Sequence, residues 1–234
     1  MTSPEKFSIY NLPIYSVLKM YMRNFVEAIN NNKNILVIRE AKNHIFCRPK
    51  FGSKKIIGIP LSITPNLTFL AGVIMGDGHL RKDKFGISIE MISKTILTLV
   101  QQNFEKVFLF NVKIKRKKER IGKKQSWKIE FKSKVIWLLF NRLFEIPFGK
   151  KTDKIKVPEI IFNSDLICKK CFIEGLFLAD GGIKNRKRIC FTFSNEEFAT
   201  GIKKLLEEFD VKGFLSKWMH KNSHKKVFDV IICS

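Results

Sequence analysis

The spacing of apolar and polar positions divides this chain into one unit written twice. In KFGISIEMIS, Lys84 to Ser93, the side chains of Phe85, Ile87, Ile89 and Met91 fall on one side and Gly86, Ser88 and Glu90 on the other, the period-two pattern of a half-buried strand. RICFTFS, Arg188 to Ser194, does the same with Ile189, Phe191 and Phe193 against Cys190, Thr192 and Ser194. Each strand leads into a stretch of helical spacing, Thr95 to Phe110 and Glu196 to Phe209. Two more strands follow each helix: Val112 to Lys117 and Trp127 to Lys132 in the first copy, Lys212 to Trp218 and Val227 to Ile232 in the second. Ahead of each copy stands a short apolar helix, LAGVIMGDG from Leu70 to Gly78 and IEGLFLADG from Ile173 to Gly181. An offset of 103 residues, Gly72 to Gly175, also carries Phe69, Asp77 and Gly78 onto Phe172, Asp180 and Gly181. The repeated order of helix, hairpin, helix, hairpin predicts an α+β fold with one antiparallel sheet per copy.

The first copy continues into a further helix, Lys134 to Glu145, that the second lacks. The chain thus divides into an N-terminal extension (1–65), a first repeat (66–146), a linker rich in proline, glycine and charge (147–166) and a second repeat (167–234). The extension matches neither copy; its spacing predicts a helix from Ile14 to Ile29 and short apolar runs at Ile35–Ile38 and Ile56–Ile59.

Composition narrows the partner. Lysine and arginine number 44 against 21 aspartates and glutamates, a formal charge of +23, and a field of that size calls for a polyanion, nucleic acid first. A hydrophobic content of 45% with 22 phenylalanines supplies a packed core, which excludes a disordered basic tail. No apolar run approaches the ~20 residues of a bilayer span, and the first residues lack the pattern of a signal peptide, so the expected setting is intracellular and away from membranes. Five cysteines without framework spacing fit a reducing compartment. Cys168 and Cys171 with His220 and His224 could supply four zinc ligands, but the stretch between the pairs is far longer than in a zinc finger; helix-packing cysteines and surface histidines describe them better.

The repeated apolar helix has a chemical logic. A central glycine lets another backbone approach closely, so Gly72 and Gly175 predict that the two helices pack on each other, with Phe69, Val73, Ile74, Phe172, Leu176 and Phe177 as surrounding core. That seam brings Asp77 and Asp180 together beside two helix C-termini, an arrangement of like charges that a divalent cation relieves. Gly78 and Gly181 are expected in the left-handed conformation that often ends a helix, freeing the carbonyls of Gly76 and Ala179 to join the carboxylates around Mg²⁺, with Mn²⁺ as a substitute.

These residues resemble the LAGLIDADG homing endonuclease family in its single-chain form with two motif copies, over Leu67 to the C-terminus. The resemblance implies a pseudo-two-fold monomer whose motif helices form the internal interface and whose two sheets make a saddle over the DNA major groove. It assigns the metal to Asp77 and Asp180, the last acid of each motif. It also implies a catalytic lysine near each scissile phosphate: Lys94 holds the matching place in the first copy, while its repeat partner is Asn195, leaving Lys184 as the nearest substitute. The first acidic position of the family motif is Met75 in one copy and Leu178 in the other.

Strand alternation predicts the groove-facing set, because Lys128, Glu130 and Lys132 oppose Trp127, Ile129 and Phe131. In the first copy the candidates for DNA contact are Lys82, Lys84, Ser88, Glu90, Lys113, Lys115, Lys117, Arg120, Lys128, Glu130 and Lys132. In the second they are Lys184, Arg186, Arg188, Thr192, Lys217, Lys221 and Lys225. The expected activity is Mg²⁺-dependent hydrolysis of both strands of a long asymmetric duplex site. The alternatives on the same scaffold are an intron RNA maturase and a DNA-binding regulator without cleavage.

Overall fold

The computed structural model describes residues 14–51, 55–118, 122, 124–151, 154–184, 188–219 and 226–233; side chains are described from Leu18 onward, except those of Lys184 and Cys233. Two central helices organise the fold. The helix α2 (Pro65–Gly76) starts at Thr64, whose hydroxyl accepts from the Leu67 amide, with Pro65 in the first turn where its missing N–H costs nothing. Its counterpart α6 (Leu166–Asp180) starts at Asp165, whose carboxylate accepts from the Cys168 amide. Both helices are short, apolar on most sides and packed against each other, which is why neither reads as amphipathic.

Each central helix runs straight into a sheet. In the first repeat β4 (Gly78–Leu80), β5 (Gly86–Met91), β6 (Ile114–Arg116) and β7 (Trp127–Lys132) form an antiparallel sheet of order β4-β5-β7-β6. In the second, β8 (Gly181–Lys184), β9 (Arg188–Phe193), β10 (Gly213–Met219) and β11 (Lys226–Cys233) form the sheet β8-β9-β11-β10, the same order. The helices α3 (Lys94–Phe108) and α7 (Glu196–Glu207) back the two sheets, capped alike by Ser93 and Asn195, which accept from the amides of Ile96 and Phe198. The duplicated α+β architecture is therefore present, with the strand ends shifted by one or two residues from the sequence pattern.

Three elements depart from expectation. The helix after β7 is α-helical only as α4 (Lys134–Leu138) and continues as a π-helix over Leu139–Leu143, a wider turn that keeps Leu139, Phe140, Leu143 and Phe144 all buried. The linker contains a helical turn, α5 (Glu159–Phe162), and is tied to the first sheet by a Leu80–Phe148 bridge and by the Gly149 amide, which donates to the Leu80 carbonyl at 2.9 Å. The extension folds as α1 (Ile14–Asn30) and a three-stranded antiparallel sheet, β1 (Ile35–Ala41), β2 (His44–Pro49) and β3 (Ile57–Pro60). It shares one core with the repeats: Met22, Phe25, Ile45 and Ile59 belong to the same buried cluster as Phe104, Phe140 and Phe172.

Candidate active site and nucleic-acid surface

The seam between α2 and α6 is built on glycine for lack of space. A methyl on Gly72 would lie 2.1 Å from the Phe172 carbonyl oxygen, and one on Gly175 would lie 2.1 Å from that of Phe69. The two glycines therefore play reciprocal roles about the pseudo-two-fold axis. One turn on, a methyl on Gly76 would meet the Ala179 Cβ at 2.5 Å and the Asp180 Oδ2 at 3.4 Å, so the acidic ends of both helices converge.

Gly78 and Gly181 do a different job from the one predicted. Gly78 is not among the positive-φ glycines, and Gly181 is extended at φ −80, ψ 159. They are needed for close approach, since a Cβ would lie 2.4 Å from the Ile74 Cα at Gly78 and 2.0 Å from the Phe177 ring at Gly181. Without a side chain there, each chain turns from helix into strand in one residue and leaves its aspartate at the corner.

Both aspartates are exposed on their outer side and crowded by protein beneath. That crowding pushes the Asp77 carboxyl up to about 6, chiefly by loss of solvation, then by repulsion from Asp180 and Glu90, against the pull of Lys151. Asp180 is raised too, by desolvation, with Lys151 opposing. Lys151 comes from the linker and is not among the sequence-based candidates. Its ammonium donates to the carbonyl oxygens of Ile74 at 3.0 Å and Gly78 at 2.7 Å, and also to that of Gly76. Burial draws it down to about 8 against the attraction of Asp180 and Asp77.

The donor set fits a hard divalent cation: two carboxylates and helix-terminal carbonyls, all oxygen, in a solvent-facing position. Among the described residues no group of three or more His, Cys, Asp or Glu side chains forms an alternative metal site. The Gly76 carbonyl, expected as a free ligand, is hydrogen-bonded to Lys151, whereas Ala179 lies on the other helix beside Asp180. Cys168 is buried in α6 and its thiol is pushed up to about 12, mainly by desolvation, a neutral packing group; His220 and His224 lie outside the described residues.

A carboxyl whose folded pKa lies above its ordinary 3.8 stabilises the fold most below that value and loses its contribution as pH rises through about 6. In metal-free buffer Asp77→Asn should therefore melt above the parent at pH 7.5, by about 2–4 °C after allowance for exposure. The difference should shrink away near pH 4. Circular-dichroism melts at the two pH values decide it, and a variant that melts lower at pH 7.5 contradicts this account of the site.

The other candidates divide by location. Lys94 opens α3 with its ammonium 4.8 Å over the Trp127 ring and lines a surface depression with Leu178 of α6. Asn195 is occupied as the α7 cap, beside Lys151, Asp180, Thr192 and Ser194 in a second depression. On the first sheet, Ser88, Glu90, Lys115, Lys128, Glu130 and Lys132 share the face away from α3, in the register Ser88↔Glu130, Glu90↔Lys128 and Lys128↔Lys115. Ion pairs order this face: Glu90 joins Lys117 and accepts from Ser126 at 2.8 Å, and Glu130 meets Lys128 at 2.9 Å and Arg81 at 3.7 Å. Lys82, Lys84 and Lys113 are exposed beside it.

In the second half, Thr192 faces the groove and donates to Asp229 at 2.7 Å, and Arg188 is exposed at the start of β9. Lys217 corrects the sequence-based assignment. It pairs with Phe228 on the side facing α7, where its ammonium lies 5.4 Å over the Phe228 ring and 3.7 Å from Glu196, so it points away from the groove. Arg120, Arg186, Lys221 and Lys225 lie outside the described residues, as does the side chain of Lys184. The sequence pattern also passed over His79, which pairs with Ser88 on the groove face; burial, then Lys151 and Arg81, hold its pKa below the usual value, favouring a neutral imidazole.

Comparison with known proteins agrees with this architecture. Residues 67–132 match the WhiA LAGLIDADG-like domain and residues 168–234 the LAGLIDADG-like domain, so each repeat is matched separately. The chain is 30% identical over 169 residues to a probable translation initiation factor IF-2 of Methanocaldococcus jannaschii, covering 70% of this chain and 13% of that protein. It is 28% identical to the replication factor C small subunit of the same organism, covering 70% of this chain and 10% of that protein. It thus spans only about a tenth of the length of these curated relatives. The fold is similar to that of the homing endonuclease I-DmoI in a crystal structure with DNA and Mn, with a TM-score of 0.53 and 18% identity over 73% of this chain and 90% of that one. With both repeats matched and the two motif helices crossing on their glycines, the chain belongs to the LAGLIDADG family, in its single-chain form with two motif copies.

Proposed function

We propose that this protein is a site-specific, divalent-metal-dependent DNA endonuclease, acting inside the cell as a monomer on a long asymmetric duplex. The observation that carries the reading is the convergence of Asp77 and Asp180, solvent-facing and mutually repelling, at the foot of the seam between two four-stranded sheets. Asp77 and Asp180 would hold Mg²⁺ or Mn²⁺, which when bound lowers the pKa of an attacking water and stabilises the leaving oxygen. The groove-facing lysines of the first sheet bind phosphates and fix the register of the duplex. Neutral His79, beside Asp77 in sequence and on the groove face, is placed to accept a proton or a hydrogen bond at the cleft. The crystal structures of I-DmoI with DNA and with Mn or Ca support this assignment of partner and metal. So does the pair of relatives: 70% of this chain matches a small part of a probable initiation factor and of a replication factor subunit, proteins of unlike names, which suits a segment that moves between genes by cutting DNA.

Among the described residues, Lys151 is the lysine at this seam. Lys151→Met should lower cleavage about a hundredfold through loss of a cation at the reacting phosphate, and leave duplex binding near the parent's. Single-turnover cleavage and gel retention on one duplex separate the two effects; parental cleavage by the variant makes the lysine purely structural. The reading as a whole is tested by incubating protein and selected duplex with Mg²⁺, then with EDTA. Cutting only with the metal supports it, and equal cutting in both overturns it.

A DNA-binding regulator is the second reading, and two observations favour it. The Lys151 ammonium already neutralises the carbonyl end of α2, as a bound cation would, and the first repeat matches the WhiA-type domain. Binding of duplex with no cutting in Mg²⁺ or Mn²⁺ selects that reading; an affinity for intron RNA alone selects the maturase.

A further inference from the structure

The register of the two sheets allows their groove faces to be compared position by position. Gly78↔Ile89↔Ile129↔Ile114 in the first sheet corresponds to Gly181↔Phe191↔Val230↔Leu215 in the second. The neighbouring rung on the groove side is His79, Ser88, Glu130 and, one residue before Ile114, Lys113; its counterpart is Gly182, Cys190, Ile231 and Phe214. On the other side, Glu90, Lys128 and Lys115 correspond to Thr192, Asp229 and Ser216. Beyond them Lys117 and Ser126 correspond to Trp218 and Val227. The two copies share a backbone, but where the first sheet has charged side chains on this face the second has mostly apolar and neutral ones.

The replacement is ordered and accessible. Phe214 is 61% exposed and Trp218 38%, above the buried Cys190 and Val227 and the half-buried Ile231. The Trp218 indole is held in place, donating from Nε1 to Asp229 at 3.0 Å, while the other oxygen of Asp229 accepts from Thr192 at 2.7 Å. Among the residues whose side chains are described, this face carries none of the lysines with which the first sheet can hold phosphates; Arg188 lies at its margin, paired with Lys184 at the end of β8. A major groove offers one apolar feature to such a surface, the thymine C5-methyl group, which apolar and aromatic side chains contact.

We propose that the two halves recognise DNA by different chemistry: the first sheet by charge and hydrogen bonding, the second by seating thymine methyl groups against Phe214, Ile231 and Trp218, so that the target is thymine-rich in one half only. This rests on the DNA-binding reading above, and the test keeps the two apart. Sites retained from a randomised duplex library, without added metal, should show consecutive thymine preference in one half. Phe214→Ala should erase that preference and leave the other half unchanged. With the parent protein, replacing those thymines by deoxyuridine removes only methyl groups and should weaken binding about fourfold for each methyl seated, the factor for one buried carbon. The same replacement in the other half should have little effect. Retained sites without a one-sided thymine bias, a bias that survives Phe214→Ala, or indifference to deoxyuridine each overturn the inference alone. Failure to retain any duplex overturns the DNA-binding reading and this inference with it.

Discussion

Asp77→Asn combined with Asp180→Asn should abolish cleavage of a duplex that the protein still binds. The two carboxylates meet at the seam, and their replacement by amides removes the charge that would hold a divalent ion there. Metal stabilisation of the reacting oxygens is worth several kcal/mol, so cleavage should fall about a thousandfold or more. Binding should be equal to the parent's or slightly tighter, because two negative charges facing the phosphates are gone. Each single variant should fall nearly as far as the pair if the ion is shared, since residues acting as a unit are not additive. Cleavage rates and retention measured on one duplex test all of this, and undiminished cutting by the double variant moves the active site elsewhere.

The largest effect on stability should come from the smallest substitution. Gly175→Ala, or Gly72→Ala, puts a methyl 2.1 Å from a backbone carbonyl oxygen of the facing helix. Neither helix can yield, because each is packed inside the shared core and bound on its far end to a sheet. Overpacking of this kind should cost about 3 kcal/mol or more, lowering the melting temperature by about 6–12 °C in a chain of this length. It should also separate Asp77 from Asp180, so the variant that remains folded should lose cleavage more than binding. Gly58→Ala is the control: its methyl would meet Leu109 Cδ1 at 3.1 Å and the His44 ring at 3.2 Å, and Leu109 is an exposed side chain able to move. A Gly175→Ala protein as stable as Gly58→Ala would show that the seam is looser than its geometry.

What the sequence revealed followed from repetition and from period. The glycine and aspartate of the two motifs keep a common spacing, and the strands after them alternate in sequence because one face of each packs on α3 or α7, although in β9 Cys190 is buried on the other face and Ile189 is exposed. The caps were not legible: the repeat comparison set Asn195 against Lys94, whereas the structure sets it against Ser93, each standing between a strand and a helix as an N-cap. The features that were missed lack a local signal. Lys151 sits in a charged linker where no period distinguishes it from Lys150; only the tie of Phe148 and Gly149 to Leu80 aims it at the carbonyls of α2. Strand β2, HIFCRP, is short, ends in proline and pairs with partners on both sides, so its burial comes from the sheet around it.

Lys217 shows where alternation fails. GFLSKWM sets Phe214 beside Leu215 and Trp218 beside Met219, so either face has apolar residues and the pattern does not choose between them. Pairing with β11 chooses, placing Phe214, Ser216 and Trp218 in the groove and Lys217 against Phe228. The basic character of the second half, evident in composition, therefore belongs less to this sheet face than the first half's does. Gly78 and Gly181 teach a related lesson: aspartate followed by glycine at a helix end suggested a left-handed turn, but the glycine serves a direct passage into a strand.

Cutting of DNA at a defined site by means of the paired aspartates is measured most directly by incubating the protein with a randomised duplex library in Mg²⁺ and sequencing every newly made end. Paired ends on both strands at one recurrent sequence, absent with the Asp77→Asn/Asp180→Asn protein, are the predicted result. Recurrent duplex retained with no new ends, or ends that persist in the double variant, would contradict it.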